Sequence, residues 1–351
     1  MTDGNPAPST KPKPIFRFTE LPLTARDWMV RAWGTDMQIL YSLCSKKSAH
    51  SVKRLNLKAT DFHLGFGDNH NSVRPTIPGE KGVRIHITNL ATSESEDSGT
   101  SPSTIVKFAQ LYQDSSELPE LKLTLSFKGL LNHLSQIFHC EKVVLSLGET
   151  SEVSGTFVKN ALVGFNISEI TILNVDEITD FHLEVLSIVP AESLHITLTN
   201  GGYKGPELDR FLGEHKYKSI CLSAPTDLID LIRMNAEHFE IHNGRMYPME
   251  FNVYIKMWID EEAANVKNVR SILLLYHKLR LEEEFKEQIL CNLEYTELPK
   301  DQTFESPTVG FWDMYDTVDG IFEVQRKTDG KKAVIILDYI GKAYRFKFLV
   351  L

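Results

Sequence analysis

The chain has 351 residues, 42% of them hydrophobic and 24% charged, with a formal net charge of −9. That length exceeds one typical core, and the apolar content is enough to bury a sizeable one, so two cooperating folded units are expected. The acidic balance excludes broad electrostatic attraction to nucleic-acid backbones or anionic membranes, and neither is expected as a partner.

Residues 1–14 are polar, with prolines at positions 6, 8, 12 and 14. They cannot offset the entropy of ordering and read as a disordered tail. They contain no apolar stretch of the kind secretion requires, and no run in the chain reaches the length of a membrane helix. The expectation is a soluble protein of the cytoplasm or nucleus.

Residues 15–58 carry apolar positions at helical separations and predict three short helices. Thr24 can cap the first, through Ala25–Ala32. Thr35 or Asp36 can cap the second, through Met37, Leu40 and Leu43, and a basic third helix lies within Lys46–Lys58. So small a unit cannot hide its own apolar surface and needs a partner or the following domain to cover it. From Gly65 to Ser103 the pattern is weak: a loop at Asp68–Gly82, a strand at Val83–Ile87, and a Ser/Glu/Gly-rich loop at Thr92–Pro102.

A short apolar alternation then recurs, beginning at residues 121, 143, 170, 194, 219 and 238, which gives steps of 22, 27, 24, 25 and 19. Helix-like stretches at Leu130–Phe138, Glu207–Leu212 and Asp227–Met234 lie between the runs. One strand and one helix per step is the arithmetic of a leucine-rich-repeat solenoid with parallel strands, here with a loose consensus. Period-two alternation sends the intervening residues to the opposite face. Lys122, Thr124, His195, Thr197, Glu240 and His242 are therefore expected to share one exposed face suited to holding another protein.

Phe251–Asp260 reads as an alternating strand, with Met257 and Trp258 packed inside the domain. A strand at Ser271–Tyr276 and a charged helix carrying Leu279, Leu281, Phe285 and Ile289 follow. Gly320–Lys327, Lys331–Tyr339 and Tyr344–Leu351, separated by Asp-Gly and Gly-Lys signals, predict a closing antiparallel meander. The expected fold is thus α/β: a three-helix unit at 15–58, a repeat-like domain at 59–250, and a C-terminal region at 251–351 with a β cap.

Motifs for phosphate, dinucleotide or metal-protease chemistry are absent from the sequence. The cysteines Cys44, Cys140, Cys221 and Cys291 form no CxxC pair and read as reduced, buried apolar residues. The histidines and acidic clusters read as surface or packing residues, so no catalysis, metal or cofactor is expected.

Phe18-Thr19-Glu20-Leu21-Pro22-Leu23, followed after a helix by Tyr41-Ser42-Leu43-Cys44-Ser45-Lys46-Lys47, resembles an F-box. Phe251–Ile259 and Val324–Val334 are similar to the type-2 F-box-associated domain that follows such a box. The resemblance implies that Leu21, Pro22, Leu23, Ile39, Leu40 and Leu43 dock a Skp-type adaptor, and through it a cullin/RING scaffold. The repeat domain would then hold a protein substrate, making the chain a non-catalytic subunit of an SCF-type ubiquitin ligase. The first helix departs from the family pattern at Arg26-Asp27-Trp28 and Arg31-Ala32-Trp33-Gly34, where Trp28 and Trp33 either cover the small core or face outward. A repeat-type interaction scaffold with no ligase role is the alternative, and an enzyme on the same scaffold is the weakest reading.

Overall fold

The computed structural model describes residue 18 and residues 21–67, 71–79, 82–89, 104–110, 121–149, 153–203, 205–242, 244–276, 285–304, 317–340 and 343–351. The expected tail at 1–14, the loop at Thr92–Pro102, and Leu279 and Leu281 lie outside the described residues.

Three short helices open the chain: α1 (Leu23–Arg31), α2 (Thr35–Cys44) and α3 (Lys46–Arg54). α1 starts directly after Pro22, so Thr24 lies within its first turn and does not cap it. Ser45 caps α3, its Oγ accepting from the Ser48 N–H at 3.1 Å. Val30, Ile39 and Val52 are wholly buried and belong to the main core of the chain. The helical unit is therefore sealed on its inner side by the rest of this molecule.

Fifteen strands form one continuous sheet among the described residues. β1 (Asp61–Phe66), β2 (Asn71–Thr76), β3 (Val83–Asn89), β4 (Thr104–Gln110) and β5 (Leu121–Leu123) run antiparallel to one another in chain order. Two expectations are corrected here. The stretch Asp68–Gly82, expected as a loop, contains β2. The run starting at Leu121, expected as the first parallel repeat, is an outer strand paired antiparallel with β4.

After α4 (Phe127–Phe138) the chain adds βα steps: β6 (Lys142–Leu147), α5 (Gly155–Leu162), β7 (Asn166–Glu177), α6 (Asp180–Ile188), β8 (Ser193–Tyr203), α7 (Pro206–Glu214), β9 (Tyr217–Ser223), α8 (Leu228–Arg233), β10 (Ala236–Ile241), α9 (Pro248–Asp260) and β11 (Ser271–Tyr276). β1 lies beside β6, and β6 to β11 follow in chain order, all parallel to their neighbours. Parallel neighbours need a crossover, and the helices supply it. Alternate strand residues, including Leu64, Leu145, Ile170, Leu194, Ile220, Phe239 and Ile272, are at most 1% exposed and form the core with the helices.

The segment Phe251–Asp260 is helical, which corrects the strand expected there. Phe251, Tyr254, Ile255, Trp258 and Ile259 are among its buried positions, spaced three and four apart as one face of a helix requires. Pro248 sits in the first turn, and the Glu250 carboxylate accepts from the Tyr247 N–H at 2.6 Å. These start signals and the burial pattern override the β-favouring composition of the segment. Trp258 is wholly buried, as expected of a packing residue.

The chain closes with α10 (Phe285–Leu290), β12 (Thr296–Leu298), β13 (Thr317–Gln325), β14 (Lys332–Ile340) and β15 (Ala343–Val350). β13, β14 and β15 form the expected antiparallel meander, and β15 joins it to β11. Phe251 stacks on Phe346 at 4.5 Å and Trp258 meets Phe348 edge-on at 5.2 Å, so α9 covers one side of the meander. Ile321, Val334, Ile336 and Leu349 form a second small core.

Candidate functional site

The strands that bury every second residue under the helices turn the others to the opposite face, and between β6 and β10 that face is polar and only half-buried. Its centre is a ladder across three strands. His195 on β8 pairs in register with Cys221 on β9, and Cys221 pairs with Glu240 on β10. His242 follows two residues after Glu240, its N–H donating to the Leu222 carbonyl at 2.9 Å, which continues the sheet geometry past the end of β10.

Side chains on this ladder bind one another. Glu240 Oε1 lies 2.8 Å from His242 Nε2. His195 stands between Thr197, whose Oγ1 is 3.3 Å from His195 Nε2, and Glu169, whose Oε1 is 4.0 Å from His195 Nδ1. Thr171 donates to Glu169 Oε1 at 3.0 Å. Below the ladder, Ser219 donates to Ser193 at 2.7 Å and His238 Nδ1 lies 2.8 Å from Ser271 Oγ.

Burial is the main influence on His195 and Cys221. It holds the His195 imidazole below its usual value; Glu169 pulls it back up and His242 pushes it down. Burial pushes the Cys221 thiol up, and the carboxylates of Glu240 and Glu169 act in the same direction. Cys221, Glu240 and His242 place one donor atom each within 4.8 Å of the others.

Of the residues expected on the binding face, His195, Thr197, Glu240 and His242 are brought together. Lys122 and Thr124 are exposed but belong to β5 and the bend after it. β5 is seven strand spacings from β8 in the sheet order, roughly 34 Å along the sheet at the usual interstrand distance. They form no part of this ladder. Cys221 and Glu169 were not singled out: the former was read as inert packing, and the latter sits ahead of the alternation that marks β7. Only cross-strand register, which a single strand does not encode, brings them beside His195. Cys44, expected buried, is exposed, while Cys140 is buried.

At the N-terminal unit the expected docking residues divide. Pro22 and Leu23 are exposed, and Leu21, Leu40 and Leu43 are half-buried. Ile39 is 0% exposed within this chain and is removed from the docking set. Trp33 packs with Phe18 and Tyr41 in a cluster of rings about 5.4 to 5.5 Å apart, so it covers the small core. Trp28 does not, being 77% exposed.

A model of the family described as F-box associated matches residues 207–270. This segment is similar to an F-box-associated domain. It runs from α7 to the residue before β11 and contains Cys221, Glu240 and His242. The boundary expected at residue 251 falls inside it, and the Val324–Val334 stretch lies beyond it. No curated protein and no solved structure matches the chain significantly.

Proposed function

We propose that this protein is a substrate-recognition subunit of an SCF-type ubiquitin ligase. The observation that carries the reading is the F-box-associated match at 207–270, downstream of three short helices at the position an F-box would take. Leu23, Trp28 and Met37 on those helices are 46%, 77% and 48% exposed, an apolar complement for the helices of a Skp-type adaptor. In this reading the βα array acts as an irregular leucine-rich-repeat-like solenoid, and its uncovered polar face around His195, Thr197, Glu240 and His242 receives the protein substrate. Such a subunit catalyses nothing. It raises the effective concentration of substrate lysines near an E2 carried by a cullin/RING scaffold, in the cytoplasm or nucleus.

The test is co-purification of the full chain with a Skp-type adaptor. Leu23→Asp combined with Met37→Asp should abolish co-elution while the circular dichroism of the chain stays unchanged. Co-elution that survives both changes rejects the reading. A scaffold with no ligase role is favoured by the burial of Val30, Ile39 and Val52 in the common core, which makes the helical unit a cap for the array. That alternative expects no adaptor complex with the unmodified chain.

A further inference from the structure

Three donors of different chemical hardness meet on the half-buried polar face: the Cys221 sulfur, a Glu240 carboxylate oxygen and a His242 imidazole nitrogen, mutually within 4.8 Å. All three stand on main chain fixed by sheet hydrogen bonds, because Cys221 and Glu240 are register partners and His242 is held to the Leu222 carbonyl. Positions on regular elements hold a ligand set more firmly than loops do.

Tetrahedral zinc bonds put neighbouring ligand atoms roughly 3.3 to 3.8 Å apart. The observed cluster brackets that size, with its donor atoms within 4.8 Å of one another and Glu240 Oε1 2.8 Å from His242 Nε2. A calcium or magnesium site would be built from oxygens alone, whereas a thiol with an imidazole selects zinc and its neighbours. Charge points the same way. Once binding has displaced the thiol proton, a thiolate and a carboxylate are two negative charges in a half-buried place, and the divalent cation cancels them.

We infer that Cys221, Glu240 and His242 form a binding site for a zinc-type divalent metal ion, with a water as the fourth donor. On binding, the thiol gives its proton to solvent and a sulfur–metal bond forms, while the neutral His242 imidazole offers the lone pair of one ring nitrogen to the ion and keeps its proton on the other. No electron is transferred. The metal clamps β9 to β10 inside the F-box-associated segment and rigidifies the face next to His195 and Thr197. The inference rests on this geometry and is independent of the ubiquitin-ligase reading.

The experiment is titration of the full-length chain, treated with chelator and reductant, with Co²⁺ followed by Zn²⁺. One equivalent of cobalt should produce a cysteinate-to-cobalt charge-transfer band and the visible bands of tetrahedral cobalt, and zinc should erase both. Cys221→Ser should remove the charge-transfer band. His242→Ala should weaken binding at least about a hundredfold, since loss of even a supporting partner of a metal ligand costs 10–100-fold. Cys44→Ser, at an exposed cysteine away from the ladder, should change neither. Absence of the band at saturating cobalt, or its persistence in Cys221→Ser, overturns the proposal. If Cys221→Ser does not fold, as judged by circular dichroism, Glu240→Gln and His242→Ala decide, and undiminished affinity in both is equally fatal. Adaptor co-elution of these variants should match the unmodified chain, so the two readings fail separately.

Discussion

Arg326 illustrates how a charged residue at a hairpin becomes a structural centre. Its side chain is 3% exposed, its guanidinium donates to Glu261 at 2.9 Å and to the Lys267 carbonyl at 3.1 Å, and it lies 4.4 Å from the centre of the Trp258 ring. One planar cation therefore holds the end of β13 against the C-terminal end of α9 and the turn that follows. Replacement by methionine leaves a carboxylate and a carbonyl without their donor, and a loss of about 2–4 kcal/mol is expected in urea denaturation. Arg326→Lys should recover less than half of that, because an ammonium cannot bond at two points and stack on the ring together. A stability within error of the unmodified chain in Arg326→Met would refute this role. In the sequence Arg326 is one of several basic residues beside Asp-Gly. Beside its local ion pair with Asp329, its hydrogen-bond partners Glu261 and Lys267 lie 65 and 59 residues away, and no local pattern announces them.

At the scale of elements, what was legible followed from local repetition. The runs that became β6 to β10 alternate cleanly, and the meander is marked by turn residues between apolar runs. The misread elements are those whose state is set by tertiary contacts. α9 has strand-like composition and is helical because one of its faces meets Phe346 and Phe348. The residues at 121–123 look like a repeat but pair backwards with β4, since pairing direction is not written in alternation. Part of the candidate site was legible by the same logic: His195, Thr197, Glu240 and His242 alternate with buried residues, whereas Cys221 became visible only through register. β11 shows the energetic side of this. Its residues 271–275 are buried on both faces, as parallel strands usually are, and β15 supplies the only antiparallel partner of that edge among the described residues. A variant ending at residue 304 should expose this apolar edge and the Trp258 side of α9. It is expected to bind a hydrophobic dye and to elute as aggregates in size-exclusion chromatography. A monomeric, dye-silent product would show that β11 needs no cover.

For the whole molecule, the burial of residues from Val30 to Phe348 in one contiguous core means that a local cost is felt by the entire fold. Two histidines away from the ladder carry such a cost. His63 on β1 and His133 on α4 are both held below the usual histidine value, chiefly by burial, with Arg74 adding to the effect at His63. His133 Nε2 also lies 2.8 Å from Ser42 Oγ, linking α4 to the N-terminal helices. For each, the unfolded chain takes up a proton more readily than the folded one. Stability is therefore complete above the unfolded value near 6.5 and falls as pH drops below it, until the folded group is protonated too. Most carboxylates remain ionised in the upper part of that window, which isolates the histidine contribution. The midpoint of urea unfolding is expected to fall steadily as pH is lowered from about 7 to about 5.5. His133→Gln should flatten that slope, since its amide does not titrate. A midpoint that stays level or rises over the same range would mean that neither imidazole is kept neutral by its burial, and that the junction between the N-terminal helices and α4 is open to solvent.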